Sequence, residues 1–127
     1  MADYTVKRIN EMEAGFGGGF VKVRAELGVT AFGMQVIRMP PNYPDYPEHD
    51  HAEDGQEEVY LALEGSGYVD VEGERVELSG DAFVRVAPGT KRKVFPGADG
   101  LTILVIGGRP GAAYEIAPAT ELTGAAS

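Results

Sequence analysis

The chain contains two histidines, His49 and His51, and a single residue separates them. Because side chains alternate along an extended strand, the two imidazoles would lie on one face and Asp50 on the other. Two imidazoles on one face can bind a single divalent cation, and a carboxylate from the next strand can complete a facial set of ligands. The spacing is equally compatible with a polar loop that carries two histidines and binds no metal.

In the segments that must position these histidines, apolar and polar residues alternate with a period of two. This pattern predicts short strands. Residues 40–51 form a proline-rich loop that leads into the histidines, and glycine and proline predict turns elsewhere. The predicted turns cover 65–67, 88–90 and 96–100. The predicted strands cover 20–27, 30–39, 57–64, 68–72, a short segment within 73–81, 82–87, 91–95 and 101–108. Strands at this spacing favour an all-β fold, an antiparallel sandwich or barrel.

Composition limits the classes of function. A chain of 127 residues is one domain with a core of its own. Its net charge of −9 disfavours a nucleic-acid partner, because an acidic surface repels phosphate backbones. With no cysteine there is neither a disulfide framework nor thiolate chemistry. No apolar segment is long enough to span a bilayer. We therefore expect a cytoplasmic protein without a membrane partner.

Two of the predicted strands, 57–64 and 101–108, are apolar on both faces. One face of each strand would fill the barrel, and the other needs cover from the N-terminal strands or from a second subunit. The sequence therefore predicts a homodimer. It also predicts three regions: N-terminal strands over 1–29 that pack on the barrel or on the dimer partner, a barrel over 30–108, and a surface tail over 109–127.

The region from 34 to 107 resembles the cupin superfamily. The first cupin motif runs G-x5-H-x-H-x3,4-E-x6-G, and residues 49–65 resemble it. The second runs G-x5-P-x-G-x2-H-x3-N, and residues 80–94 resemble it in part. The resemblance implies a double-stranded β-helix, which is a small jelly roll. It also implies a divalent metal inside the barrel, bound by the two histidines and the glutamate of the first motif and by a histidine of the second.

In the first motif the resemblance assigns His49 and His51 to the histidine pair, and Glu58 to the glutamate that six intervening residues separate from Gly65. Six residues separate His51 from Glu58 where the family usually has three or four, and an enlarged loop could absorb the difference. Tyr43 stands at the place of the leading glycine. Alternation turns Glu58 inward together with Tyr60 and Ala62. The remaining acidic residues of the region are interpreted as a solvated loop: Asp45, Glu48, Asp50, Glu53, Asp54 and Glu57.

In the second motif the third histidine is replaced. It falls on Arg92 when the sequence is aligned on the turn at 88–90, and on Lys91 when it is aligned on Gly80. Neither side chain binds a metal in its charged state, because a protonated cation has no lone pair to offer. Since Arg92 shares its strand face with Val94, and Lys91 lies on the other face, the Arg92 side chain is expected to point into the barrel.

Two functions remain open at this point. In the first, His49, His51 and Glu58 bind Fe, Mn, Ni or Zn in an oxygenase-like or isomerase-like enzyme, and Arg92 and Tyr60 bind a small anionic metabolite. In the second, the protein binds a small molecule without a metal and without catalysis, and Arg92 pairs with Glu58 inside the barrel.

Overall fold

The computed structural model describes residues 1–124, so the last three residues of the predicted tail over 109–127 lie outside the described part. Strands dominate the described residues, as the alternation predicted. The elements are β1 (Ala14–Gly15), β2 (Phe20–Val21), α1 (Val23–Leu27), β3 (Gly33–Met39), β4 (Glu57–Val71), β5 (Glu74–Leu78), β6 (Phe83–Val86) and β7 (Arg92–Gly108), with short 3-10 turns at Ile9–Glu11, Phe16–Gly18 and Pro118–Thr120. None of the helices in residues 1–124 has the length and hydropathy needed to cross a membrane.

The two long strands β4 and β7 pair antiparallel along most of their length and organise the fold. In one half of the molecule, residues 57–65 pair with 101–108, β6 lies on the free edge of β4, and β3, β2 and β1 follow β7. In the other half, 67–71 pair with 92–96, and β5 lies on the outer edge of β4. Inward-facing residues of both halves, among them Tyr60, Ile103, Val69 and Val94, form one core. The sheet is therefore folded over on itself as a jelly roll.

The turns predicted at 65–67 and 96–100 are wrong, because both stretches lie inside the long strands. The register shifts between Gly65 and Gly67, where the strands pass from one half of the fold to the other. Gly65 and Gly100 have φ values of 73° and 78°, which favour glycine. A Cβ atom on Gly65 would clash with the carbonyl oxygen of Gly100. These glycines bend a continuous strand where the sequence pattern predicted a chain reversal.

The predicted strand over 20–27 is also wrong beyond Val21, because residues Val23–Leu27 form a helix. Val23 and Leu27 are four residues apart, and this spacing places both on one face of a helix as well as on one face of a strand. The helix ends at Gly28, whose φ is 78° and whose N–H bonds to the carbonyls of Arg24 and Ala25.

The N-terminal residues 12–27 cover part of the outer face of the sheet. Val21, Val23 and Val36 form a second buried cluster, against which Leu27 and Leu104 pack. One face of the sheet formed by β3 and β7 therefore packs on the barrel core, and the other face packs on this N-terminal layer.

Candidate metal centre

The backbone of residues 49–51 is hydrogen-bonded to the start of β7 and to the turn that precedes it. His49 and Arg92 exchange two backbone hydrogen bonds of 2.9 Å, and the His51 N–H donates to the carbonyl of Pro88 at 2.7 Å. These bonds hold the segment extended, so the two imidazoles point the same way. Their ring centroids lie 5.1 Å apart and the rings are perpendicular.

Glu58 reaches the same place from the inner face of β4. Its Oε1 atom lies 3.2 Å from Nε2 of His51 and 3.7 Å from Nε2 of His49. The potential ligand atoms of the three residues all lie within 4.8 Å of one another. The structure thus brings together the three residues that the first motif indicated, and their atoms can hold one metal ion.

The outer nitrogens of both imidazoles face acceptors. Nδ1 of His51 lies 3.0 and 3.1 Å from the two carboxylate oxygens of Asp54, and Nδ1 of His49 lies 3.2 Å from the carbonyl oxygen of Pro47. A carboxylate and a carbonyl only accept, so each neutral ring carries its proton on Nδ1. This leaves the lone pair on Nε2, directed towards Glu58. Metal-binding histidines in proteins are oriented by partners of this kind.

The Nε2 atom of His51 is buried and has no hydrogen-bond partner within residues 1–124, although Oε1 of Glu58 is only 3.2 Å away. With its proton on Nδ1, the neutral His51 ring has only a lone pair at Nε2 and cannot donate to Oε1. Nε2 of His51 and Oε1 of Glu58 therefore direct lone pairs towards the same space and form no hydrogen bond with each other. A buried polar atom such as this Nε2 requires a partner. A cation between them would satisfy both, so the residues present fit a divalent metal.

Two opposed effects set the ionisation of this cluster. Burial by itself would raise the pKa of Glu58, but the imidazoles of His49 and His51 and the Tyr60 hydroxyl together outweigh burial and hold that pKa well below its ordinary value. The Glu58 carboxylate in turn raises the pKa of His51 against the effect of burial, and Asp54 adds to the rise. Glu58 is therefore an anion at neutral pH, and a proton competes with a metal for Nε2 of His51.

Tyr60 lies beneath the cluster. Its side chain is fully buried, and its hydroxyl donates a 2.8 Å hydrogen bond to Oε1 of Glu58. Burial, followed by the negative charge of Glu58, raises the pKa of Tyr60, so the hydroxyl keeps its proton and remains a donor. In the structure the Tyr60 hydroxyl holds the Glu58 carboxylate in place, and the substrate contact that the sequence indicated for Tyr60 stays a prediction.

Arg92, and not Lys91, points into the barrel, since Arg92 is fully buried and Lys91 is exposed. Its Nη2 atom donates to the carbonyls of Ala87 at 3.2 Å and Val86 at 3.4 Å. Its Nε and Nη1 atoms are buried and have no hydrogen-bond partner in the described part of the chain. The Arg92–Glu58 bond of the metal-free alternative is not among the bonds of residues 1–124.

Asp54 was predicted to lie in a solvated loop, but its carboxylate contacts the His51 imidazole. A turn closed by the Gly55 N–H on the carbonyl of His51, at 2.7 Å, folds Asp54 back onto the imidazole. This turn accounts for the two extra residues between His51 and Glu58. An aspartate three residues after a histidine and directly before a glycine was the signal available in the sequence.

Solved structures show what this chain is similar to. A cupin protein from Bacteroides fragilis matches 92% of this chain and 93% of its own, with a TM-score of 0.71 and 23% identity. A protein from Thermus thermophilus matches 82% of this chain and 96% of its own, with a TM-score of 0.63 and 20% identity. A sugar phosphate isomerase from a cupin superfamily, from Silicibacter pomeroyi, matches 71% of this chain and 58% of its own, with a TM-score of 0.62 and 19% identity.

No family model matches the sequence, and no curated protein matches it significantly. The likeness is therefore one of structure, and at these identities it establishes the fold. The chain has the cupin fold that its two motifs predicted.

Proposed function

We propose that this small protein with the cupin fold binds one divalent cation through His49, His51 and Glu58 and acts as a metal-dependent enzyme on a small anionic metabolite. The observation that carries the proposal is the convergence of three ligand atoms within 4.8 Å, two of them on imidazoles whose other nitrogen is already engaged. Fe, Mn, Ni and Zn all accept two imidazoles and a carboxylate.

Such a set leaves coordination positions open for a ligand, and the chemistry that a bound cation supplies there is Lewis-acid polarisation of a ligand oxygen. The protein's own residues orient the site: Asp54 and the Pro47 carbonyl fix the two imidazoles, and Tyr60 fixes the carboxylate. An isomerase-like or oxygenase-like reaction fits a site of this kind. The similar structure from Silicibacter pomeroyi, described as a sugar phosphate isomerase, supports the isomerase-like alternative.

Arg92 supports an anionic ligand. Its backbone is paired with that of His49, so both side chains leave the sheet on the same side, towards the centre. Two of its guanidinium nitrogens are buried without a partner among residues 1–124, and each such group costs about 1–3 kcal/mol when left unsatisfied. A carboxylate or enolate of the ligand would offset this cost. It would also separate the guanidinium from the cation, whose charges repel.

A second function is favoured by the same residue. Arg92 is a permanent cation where the cupin motif usually has a third histidine ligand, and it lies fully buried at the centre of the barrel. A positive charge there lowers the affinity for a metal ion. The alternative is therefore a metal-free protein that binds a small anion without catalysis.

Metal analysis of the purified protein separates the two functions. We expect one Fe, Mn, Ni or Zn per chain in the wild type, and loss of that metal in His51→Ala. Asp50→Ala is the matched control, because the Asp50 carboxylate accepts a bond from the Ala52 N–H and does not belong to the metal cluster. A wild-type chain that stays metal-free after incubation with all four metals would contradict the enzyme proposal and favour the alternative.

We also propose a homodimer, on the basis of a row of apolar side chains across the outer face. Cross-strand pairing aligns Phe83, Leu61, Leu104 and Val36. The N-terminal layer packs on Val36 and Leu104, whereas Leu61 is only half-buried and Phe83 is 72% exposed. A second copy of the chain that covers the open half of this row would bury it.

Light scattering tests the dimer. We expect the wild type to show twice the chain mass of 13.5 kDa at micromolar concentration, and Phe83→Asp to shift it to the mass of one chain. Tyr4→Asp changes an equally exposed aromatic residue elsewhere and should leave the mass unchanged. A wild type with the mass of one chain would rule the dimer out. The cytoplasmic location and the absence of a nucleic-acid partner stay predictions from composition.

A further inference from the structure

A groove of about 890 Å³ runs along the surface between the segment 15–20 and the loop 40–47. We call it the entrance groove. Its walls are aromatic, with Phe16 and Phe20 on one side and Tyr43 and Tyr46 on the other, and Ile37 and Met39 of β3 line it as well. Its volume lies in the upper part of the range that small-molecule sites occupy, roughly 300–1,000 Å³.

The entrance groove ends at the candidate metal centre. His49 is a lining residue of the groove and also a member of the metal cluster. The rings of Tyr46 and His49 have centroids 6.1 Å apart, and Nε2 of His49 lies 3.7 Å from Oε1 of Glu58. A molecule that lies in the groove would therefore have one end beside His49 and the metal ligands.

The wall formed by the segment 15–20 has an unusual backbone. Phe16 has a φ of 52°, which is uncommon for a bulky residue, and the φ values of Gly17 and Gly18 are 72° and 95°. In this conformation the Phe16 side chain is 81% exposed and its ring meets Phe20 edge to face at 5.7 Å. A residue held in an unfavourable conformation with an exposed apolar ring indicates a functional contact. A ligand that covers this ring would bury it.

The charges along the groove give it no preference for an ion of either sign. Arg38 and Asp45 are its charged lining residues, their charges are opposite, and both are exposed. An anionic group is therefore favoured only at the inner end, where the proposed cation and Arg92 lie. The rest of the groove favours an uncharged, apolar body.

We infer that the entrance groove binds the ring of an aromatic carboxylic acid, with Phe16 as a residue that determines specificity and the carboxylate at the His49 end. This inference rests on the proposed function for the position of the carboxylate. It narrows the small anionic metabolite to one with an aromatic body, and it gives the N-terminal segment a role in binding.

Calorimetric titration of Mn²⁺-treated protein tests the inference with two probes, cinnamate as an aromatic carboxylate and lactate as a small polar one. We expect cinnamate to bind at least about tenfold more tightly than lactate, because its ring buries apolar area in the groove. Phe16→Ala should weaken cinnamate binding about three- to tenfold and leave lactate unchanged. Tyr43→Ala, on the opposite wall of the groove, is a second variant that should also weaken cinnamate binding. Tyr4→Ala removes an exposed aromatic residue that does not line the groove, and should change neither affinity.

Equal affinities for the two acids, absent cinnamate binding, or cinnamate binding unchanged by both wall variants would each overturn the inference. Metal content measured on the same samples shows whether the groove inference or the enzyme proposal has failed. Metal bound without a preference for cinnamate overturns the groove inference alone. Phe16-dependent cinnamate binding in a protein that holds no metal overturns the enzyme proposal and supports the groove.

Discussion

The Nε2 atom of His51 lies 3.2 Å from Oε1 of Glu58, and the two atoms make no hydrogen bond. Each is oriented from behind by another group: the Asp54 carboxylate engages Nδ1 of His51, and the Tyr60 hydroxyl donates to Oε1 of Glu58. Asp54 and Tyr60, which are not members of the metal cluster, therefore preorganise it. Nε2 of His51 and Oε1 of Glu58 remain close together without a hydrogen bond between them. This is the arrangement that a bound cation would stabilise.

Asp54 should control metal affinity without being a ligand. Asp54→Ala removes the acceptor that fixes the His51 ring, and loss of such a partner typically costs about 10–100-fold in metal affinity. Competition titration with a zinc chelator measures the effect. Glu53→Gln, a neighbouring change in the same acidic loop that does not touch the imidazole, should leave the affinity unaltered. Equal affinities of the wild type and Asp54→Ala would show that the His51 ring needs no support.

Arg92 should lower the stability of the ligand-free protein. Arg92→Met keeps most of the length of the side chain and removes a buried charge, two of whose nitrogens have no hydrogen-bond partner in the part of the chain that the structure describes. Replacing buried ionic groups by apolar residues is often neutral or stabilising by about 1–4 kcal/mol. We therefore expect a higher melting temperature without ligand and weaker binding of small carboxylates. Lys91→Met is the exposed control. A lower melting temperature would mean that the bonds to Val86 and Ala87 outweigh the burial cost.

The bend in β4 should depend on the missing side chain of Gly65. Gly65→Ala adds a Cβ that meets the Gly100 carbonyl, and it also imposes a positive φ that costs about 1–3 kcal/mol by itself. Gly73→Ala is a matched control, since Gly73 has a φ of 91° and an added Cβ would meet no atom within 4 Å. In urea unfolding, Gly65→Ala should lose clearly more stability than Gly73→Ala. Equal losses would show that the strands relax around the added methyl group.

Glu13 should make stability fall in acid. Hydrogen bonds from Lys22 and from the N–H groups of Thr123 and Gly124 lower the pKa of Glu13 to about 2, against the effect of burial. A carboxyl group with a depressed pKa stabilises the fold above its unfolded pKa, and this stabilisation is lost as the pH falls through the folded pKa. The difference in melting temperature between the wild type and Glu13→Gln should therefore shrink from pH 5 to about pH 2.

Asp81→Asn, a change at an exposed carboxylate, serves as the control for Glu13 and should show no such trend. A difference between the wild type and Glu13→Gln that stays constant over this pH range would mean that the hydrogen bonds of Glu13 do not depend on its charge.

Local patterns predicted much of this structure. The inward direction of Tyr60 and Ala62 follows from a strand period that depends only on neighbouring residues. The same period distinguished Arg92 from Lys91. The pattern could not tell whether glycines at 65–67 reverse the chain or bend it, because that depends on a partner strand some thirty residues away. It could not place Asp54 either, since its role depends on a turn that folds the side chain back onto His51.

The paired backbone bonds between His49 and Arg92 form a single bridge between the loop that carries the histidines and the first residue of β7. Because His49 lies in a loop and the bridge joins one pair of residues, it can open locally at a fraction of the free energy of global unfolding, so its amide hydrogens should exchange early with deuterium. A cation that links His49 to Glu58 would have to leave before the bridge opens, and it would slow this exchange in proportion to its occupancy. Deuterium uptake at these two amides would therefore report occupancy even for zinc, which has no colour and no unpaired electron.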